Sequence, residues 1–161
     1  MKSILARLRN LDRSDRRLFF QALALTAALR LGLSLLPFTT VRGHLDRVAS
    51  RSRKRARSGR PRHEAGRIIW AVRAAGARVP ATTCLVEALA ADALLRRYGH
   101  PSSLKIGVRP GRLVPLDAHA WVECGGMPVI GATPELAEYY PLEQSCSTAS
   151  QTLPRQSRRR G

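Results

Sequence analysis

The chain has 161 residues, 44% of them hydrophobic, with 28 lysines and arginines against 11 acidic residues and a net charge of +17. This length accommodates one catalytic domain with attached helices and excludes two ordinary domains. The hydrophobic content indicates a globular fold. The charge predicts attraction to anionic partners but does not choose among nucleic acid, acidic peptide and lipid.

An apolar stretch from Leu18 to Leu36 is nearly long enough to span a bilayer. It contains Thr26, Arg30 and Ser34, whose spacing of four residues would form a polar stripe on a helix. We therefore predict a helix that packs its apolar face on the domain or on a partner, in preference to membrane insertion. The stretch starts too late, and lacks the small-residue cleavage site, for a signal peptide.

Pro37 ends this helix, and further helices and strands are expected after it. Apolar periodicity predicts helices over 41–48, 64–75 and 82–98. Strand-like segments follow at 103–108, 116–123 and 127–130. Gly125 and Gly126 indicate a hairpin turn between the last two. Because helices precede an antiparallel sheet, we predict an α+β fold.

Positive charge is concentrated in two runs, 51–62 and 155–160. Runs of like charge repel themselves and are typical of solvated linkers and tails. We expect four regions along the chain: an N-terminal helical segment at 1–50, a basic linker at 51–63, the folded domain at 64–143 and a disordered basic tail at 144–161.

The three cysteines, Cys84, Cys124 and Cys146, are odd in number and widely spaced, without a secretory signal. This pattern does not indicate a disulfide framework, and a reducing cytoplasm fits it best. No C-x-x-C or H-x-x-x-H pair is present to supply four tetrahedral zinc ligands, so we expect no metal site.

Cys84 falls in the first turn of the helix expected over 82–98, with Thr82 or Thr83 as the capping residue. The positive end of the helix dipole stabilises a thiolate, which is the attacking form of a cysteine nucleophile. Taken alone, a small cysteine in a helix is more often a buried structural residue. A catalytic role for Cys84 therefore requires a base.

The segment 116–123 alternates small apolar residues with Asp117, His119 and Trp121. If the small apolar face packs on the helix, the His119 face is partly open; if the reverse, His119 faces the helix start. The alternation does not decide between these arrangements. His119 is nevertheless the only histidine within a convincing strand, which makes it the candidate base.

A catalytic histidine usually needs a third group that orients its imidazole. A two-residue turn at Gly125 and Gly126 would pair Val122 with Val129 and place Ala132 opposite His119. No acidic residue is therefore expected across the hairpin from His119.

Three blocks of the sequence resemble the lasso-peptide maturation protease, the B protein of those biosynthetic clusters, which belongs to the transglutaminase-like cysteine peptidases. The blocks are PATTCLVEALAADALLRRYGHPSSLKIG at 80–107, AHAWVECGGMPVIG at 118–131 and YYPLE at 139–143. The resemblance covers roughly 68–143. It implies a transglutaminase-like, papain-like α+β peptidase domain whose nucleophile lies at a helix N-terminus packed on a small antiparallel sheet.

The resemblance also implies roles for the two candidate residues, with Cys84 as the nucleophile and His119 as the base. The substrate would be a ribosomally made lasso precursor, cut through a thioester acyl-enzyme to release its leader. The implied partners are a separate leader-recognition protein and an asparagine-synthetase-like cyclase, which uses ATP and closes the macrolactam. The chain itself is expected to need no cofactor.

In one respect the sequence departs from the family pattern. Members with a full triad carry Asp shortly after the hairpin, where this chain has Gly131. Asp117, Glu135 or a backbone carbonyl are the remaining ways of orienting His119, and the sequence does not choose among them.

Two other classes of function stay open at this stage. A non-catalytic basic scaffold or nucleic-acid-binding module is suggested by the arginine runs, although the aromatic interleaving, zinc knuckle or helix-turn-helix pattern that would support it is absent from the sequence. A peripheral membrane adaptor would use the apolar stretch at 18–36.

Overall fold

A computed structural model describes residues 12–56, 63–111 and 115–142. The predicted tail at 144–161 lies outside the described residues, as do 57–62 of the predicted linker. The described helices are α1 (Arg13–Leu35), α2 (Phe38–Ala56), α3 (Ala65–Gly76) and α4 (Cys84–Arg97). The strands are β1 (Ser102–Pro110), β2 (Leu116–Cys124), β3 (Met127–Ile130) and β4 (Tyr140–Pro141), with a 3-10 turn at Leu136–Glu138.

The four strands form one antiparallel sheet in the order β3-β2-β1-β4. Helices followed by this sheet confirm the predicted α+β class. Because β3 and β4 lie on opposite edges, residues 131–139 cross from one edge of the sheet to the other. Tyr139, at the end of this crossing, lies against Gly107 in the middle of β1, where an added Cβ would be 3.0 Å from the Tyr139 Cβ.

Helix α1 confirms the predicted N-terminal helix and packs on the domain. Asp12 caps it by accepting a hydrogen bond from the backbone N–H of Arg13 at 2.7 Å. Its predicted polar stripe is only partly exposed, because Thr26 is fully buried and its hydroxyl has no hydrogen-bond partner among the described residues. At the other end of the stripe, Ser34 donates to the Arg30 carbonyl at 2.9 Å.

By length and composition α1 could cross a membrane, since its most apolar window has a mean hydropathy of 1.6. A core helix meets the same criteria. Of that window, 28% is buried inside the structure, and Leu18, Ala22 and Leu29 join the common core.

Helix α2 continues to Ala56, well past the expected end at Val48 and into the run predicted as a basic linker. Arginine, lysine and alanine are good helix formers, so this charged sequence extends the helix instead of ending it. Arg96 of α4 joins α4 to α2 by donating to Asp46 at 2.8 Å, and it also donates to Asp92 of its own helix at 3.3 Å.

Helix α4 is the centre of the core, in contact with the other three helices and with β1, β2 and β3. Its buried apolar residues are Val86, Ala88, Leu89, Ala90, Ala91, Leu94 and Leu95. Full burial of one such leucine contributes about 1.5–3 kcal/mol. A residue at the start of α4 is therefore attached to the most firmly packed element of the fold.

The hairpin of β2 and β3 differs in register from the prediction. Cys124 pairs with Met127 and Glu123 with Pro128, as a two-residue turn requires, but a bulge then pairs Val122 with Ile130 instead of Val129. Pro128 has no N–H to continue the ladder. The bulge also places Ile130 on the buried side with Val122, and both are almost completely buried.

Candidate active site

Cys84 is the first residue of α4, as predicted, and it is a half-buried free thiol. Thr83 is the capping residue: its hydroxyl accepts from the Val86 N–H at 3.4 Å. Thr82 instead donates to the Val79 carbonyl at 2.7 Å and fixes the preceding turn.

The start of α4 also presents unused hydrogen-bond donors. No described residue accepts from the backbone N–H groups of Cys84 and Leu85. The first N–H groups of a helix have no partner within it, and they favour negative charge. The start of α4 can therefore stabilise both a thiolate and an oxyanion formed beside it.

His119 is half-buried on β2 and held on several sides. Its Nε2 lies 2.7 Å from the carbonyl oxygen of Gly131. Its ring is stacked at 16° to the Trp121 ring, with centroids 6.4 Å apart, and lies 5.3 Å from the Tyr139 ring. These contacts fix the orientation of the imidazole.

The structure also decides which face of β2 packs on the helices. Ala120 and Val122 belong to the same core cluster as α4, so the small apolar residues form the helix-side face. By strand alternation His119 and Trp121 extend from the opposite face, where residues 131–139 cross. This is the first of the two arrangements that the sequence left open.

Gly131, immediately after β3, has a left-handed backbone with φ of +72°. A Cβ added there would lie 2.5 Å from the carbonyl oxygen of Ala120 and 3.0 Å from the Cα of Trp121. Real Cβ atoms do not approach backbone atoms this closely. The backbone at this position therefore accommodates glycine and excludes an acidic side chain.

Asp117, one of the alternatives for orienting His119, is engaged elsewhere. Its Oδ2 accepts from the Tyr139 hydroxyl at 2.8 Å and from Arg109 Nε at 3.1 Å. These two hydrogen bonds hold the pKa of the Asp117 carboxyl below its ordinary value. The hydrogen bond with Asp117 also raises the pKa of the Tyr139 hydroxyl. No hydrogen bond joins Asp117 or the exposed Glu135 to His119 in the described chain.

Sequence reasoning missed two residues around His119, namely Arg109 and Tyr139. Arg109 also donates to Glu138 at 2.8 Å and lies 4.7 Å over the Tyr139 ring. Arg109 on β1 pairs with Asp117 on β2, and a prediction of the full β1–β2 register would have placed these opposite charges together. Tyr139 lies in the block at 139–143 that carries the resemblance, but no periodic pattern in the crossing segment predicts its contact with His119.

Cys84 lies at about the level of His119 along the sheet, but α4 covers the face opposite to the one from which His119 extends. Ser102, at the start of β1, donates to the Asp92 carboxylate at 2.8 Å, which aligns the second half of α4 with that end of the strand. Between Cys84 and Asp92 a helix rises about 12 Å. A strand rises about 3.3 Å per residue, so the same distance from Ser102 along β1 reaches Ile106. Ile106 pairs with Ala120 of β2, the residue after His119.

The two candidate residues are not in direct contact in this structure. Within the described residues no hydrogen bond links Cys84 to His119. Nor do three His, Cys, Asp or Glu side chains converge on one point there. The arrangement thus consists of a half-buried free thiol at a helix start and an oriented imidazole on the other face of the sheet.

A family model decides what kind of domain this is. The model of the transglutaminase-like superfamily matches residues 23–144, about three quarters of the chain. The chain belongs to the transglutaminase-like superfamily. The match to this superfamily takes in most of α1 and all the later helices and strands, and includes both Cys84 and His119.

The superfamily includes cysteine proteases and transferases, so the fold is consistent with a cysteine peptidase. No curated protein and no solved structure gives a match to the chain. The family therefore establishes the type of domain, and the substrate has to be argued from the site.

Proposed function

We propose that this transglutaminase-like chain is a cysteine peptidase that removes the leader from a ribosomally made lasso-peptide precursor. Cys84 is the nucleophile and His119 the general base. The observation that carries the proposal is the half-buried free thiol of Cys84 as the first residue of α4, beside unused backbone donors, in a superfamily that includes cysteine proteases.

The chemistry follows from that placement. The Cys84 thiolate attacks the carbonyl carbon of the scissile peptide bond, and the N–H groups at the start of α4 stabilise the oxyanion. His119 gives a proton to the leaving amine, which is the N-terminus of the core peptide. Water, deprotonated by His119, then hydrolyses the thioester, releasing the leader as a carboxylate and regenerating the thiol.

Proton transfer requires the imidazole and the sulfur to come within hydrogen-bond reach in the precursor complex. Hydrogen bonds between catalytic groups are commonly longer without substrate and shorten when it binds. Both side chains are half-buried, but they lie on opposite faces of the sheet. The precursor complex must therefore rearrange the start of α4 or the strand that carries His119 so that the two side chains meet.

The partners in this proposal are the lasso precursor, a separate leader-recognition protein and an asparagine-synthetase-like cyclase that consumes ATP. The freed amine of the core is the nucleophile that such a cyclase needs to form a macrolactam, so leader removal has to precede ring closure. The peptidase acts in the cytoplasm and uses no cofactor of its own.

The test is mass spectrometry of a candidate precursor incubated with the protein and a leader-binding partner. The expected products are two peptides whose masses sum to the precursor plus one water. Cys84→Ala should abolish cleavage while the circular dichroism spectrum stays that of the unaltered chain.

Cys124→Ala is the matched control, because Cys124 is also a half-buried free thiol but lies at the hairpin end of β2. It should cleave at the normal rate. Cleavage retained by purified Cys84→Ala, or lost equally in both variants, would reject Cys84 as the nucleophile.

A further inference from the structure

We infer that the main-chain carbonyl of Gly131 is the third member of the site, and that it orients His119 where other members of the family use an acidic side chain. This inference rests on the proposed function of the site, because it assigns a positioning role within the same reaction. It concerns which nitrogen of His119 carries the proton and which one acts as the base.

The short contact between His119 and Gly131 determines the assignment. A carbonyl oxygen only accepts hydrogen bonds, so the His119 Nε2 at 2.7 Å from it has to be the donor. In a neutral imidazole the other nitrogen then carries the lone pair. Gly131 thus selects the tautomer in which Nδ1 of His119 carries the lone pair, and Nδ1 is the nitrogen that acts as the base in the proposed reaction.

The same turn explains why the acidic residue is absent. With φ of +72° and no room for a Cβ beside Ala120, residue 131 has to be glycine. That conformation is also the one in which the carbonyl of residue 131 lies beside Nε2 of His119. The loss of a side chain and the gain of a carbonyl acceptor are therefore one structural change.

Neither acidic alternative makes a hydrogen bond to the imidazole among the described residues. Asp117 is occupied by Tyr139 and Arg109, so it supports His119 through the Tyr139 ring and not through a direct hydrogen bond. Glu135 is exposed on the crossing segment and has no hydrogen bond to His119 in the described chain. The carbonyl is the hydrogen-bond acceptor that the structure places on Nε2.

The primary test is nitrogen-15 NMR of the intact, unaltered chain, using two-bond proton–nitrogen correlations at alkaline pH, where neutral imidazole predominates. His119→Gln identifies the His119 signals by their disappearance. The expected result is the tautomer protonated at Nε2, with Nδ1 showing the shift of an unprotonated nitrogen. Protonation at Nδ1, or the same mixture of tautomers that free neutral histidine shows, would overturn the inference.

A second test compares two glycine variants in the precursor cleavage assay. Gly131→Ala should displace the carbonyl, reduce the rate of leader cleavage at saturating precursor by at least about tenfold, and mix the tautomers; a triad histidine held in the wrong tautomer loses up to about 10⁴-fold. Gly126→Ala is the matched control, since its φ is +80° but nothing lies within 4 Å of an added Cβ. Equal rates for the two folded variants would contradict the role of Gly131.

The two tests separate this inference from the proposed function. The Nε2-protonated tautomer in a chain that cleaves no precursor supports the carbonyl contact and rejects the peptidase. Cleavage that depends on Cys84 in a chain whose His119 is protonated at Nδ1 supports the peptidase and rejects the carbonyl. If Gly131→Ala does not fold, the NMR result on the unaltered chain alone decides.

Discussion

The two faces of the small sheet carry different types of side chain. The face towards the helices carries Leu104, Ala120 and Val122, which are buried in one apolar core. The opposite face carries aromatic and charged side chains, and the segment 131–139 crosses it. The comparison indicates that the first face supplies stability, while the second fixes the orientation of a titratable ring.

The energies of the two faces should differ accordingly. Removing buried apolar volume leaves a cavity and costs several kcal/mol in the free energy of unfolding. The ion pairs of Arg109 with Asp117 and Glu138 are partly exposed, and pairs of this kind contribute little. Substitutions on the far face should therefore affect catalysis more than stability.

The strongest test of this division is His119→Gln. Because His119 is the proposed base, leader cleavage should fall by about 10²–10⁴-fold, while the thermal unfolding midpoint changes little. His100→Gln is the control, since among the described residues the His100 side chain hydrogen-bonds the His63 carbonyl, at 2.8 Å, and does not contact His119. A His119→Gln variant that unfolds readily yet cleaves normally would reverse the assignment of the two faces.

Leu104→Ala tests the helix-side face. Truncation of this buried leucine should lower the free energy of unfolding by about 2–5 kcal/mol, measured by urea denaturation. Ser103→Ala, one residue earlier and exposed, should change it by less than about 0.5 kcal/mol. Equal effects of the two substitutions would show that the face does not form the core.

The left-handed glycines on either side of β3, Gly126 and Gly131, offer a smaller and more local test of stability. Gly126→Ala places alanine in a left-handed conformation in open space and should cost about 1 kcal/mol. Gly131→Ala adds the contact with the Ala120 carbonyl and should cost about 1–3 kcal/mol more. The comparison is made from urea midpoints, and a Gly131→Ala variant as stable as Gly126→Ala would show that the chain relaxes freely there.

The smallest expected effect is the acid dependence contributed by Asp117. Its pKa is lowered in the folded chain, chiefly by the Tyr139 hydroxyl and then by Arg109. Its stabilisation is therefore complete above the unfolded-state value of about 3.9 and is lost as the pH falls through the lower folded pKa.

The Asp117→Asn variant provides the comparison, because asparagine has no carboxyl to titrate. The difference in urea midpoint between the unaltered chain and this variant should be constant near neutral pH and disappear in acid. A difference that persists unchanged below the folded pKa would show that the carboxylate charge contributes nothing to this face.

Much of the fold was accessible from the sequence because its signals are local. Apolar periodicity located the helices over 64–75 and 82–98, and Gly125 and Gly126 located the hairpin. The sequence underestimates the extent of α2, because a run of like charge predicts a linker although its residues favour helix.

The site depended more on long-range packing. The helix-start position of Cys84 follows from local signals and was predicted, but the face of β2 that carries His119 is set by which side of the sheet the helices cover. The carbonyl of Gly131 meets His119 only because of a bulge and a left-handed turn. Neither of these features has a signature in the spacing of side chains.

The most direct test of the central claim is the intact mass of the protein during its reaction with the precursor. Rapid acid quenching should reveal a species heavier by the mass of the leader minus water, attached at Cys84 through a hydroxylamine-sensitive thioester. The adduct should form with Cys124→Ala and be absent with Cys84→Ala. Leader release that proceeds normally in Cys84→Ala, or an adduct on any other residue, would contradict the account.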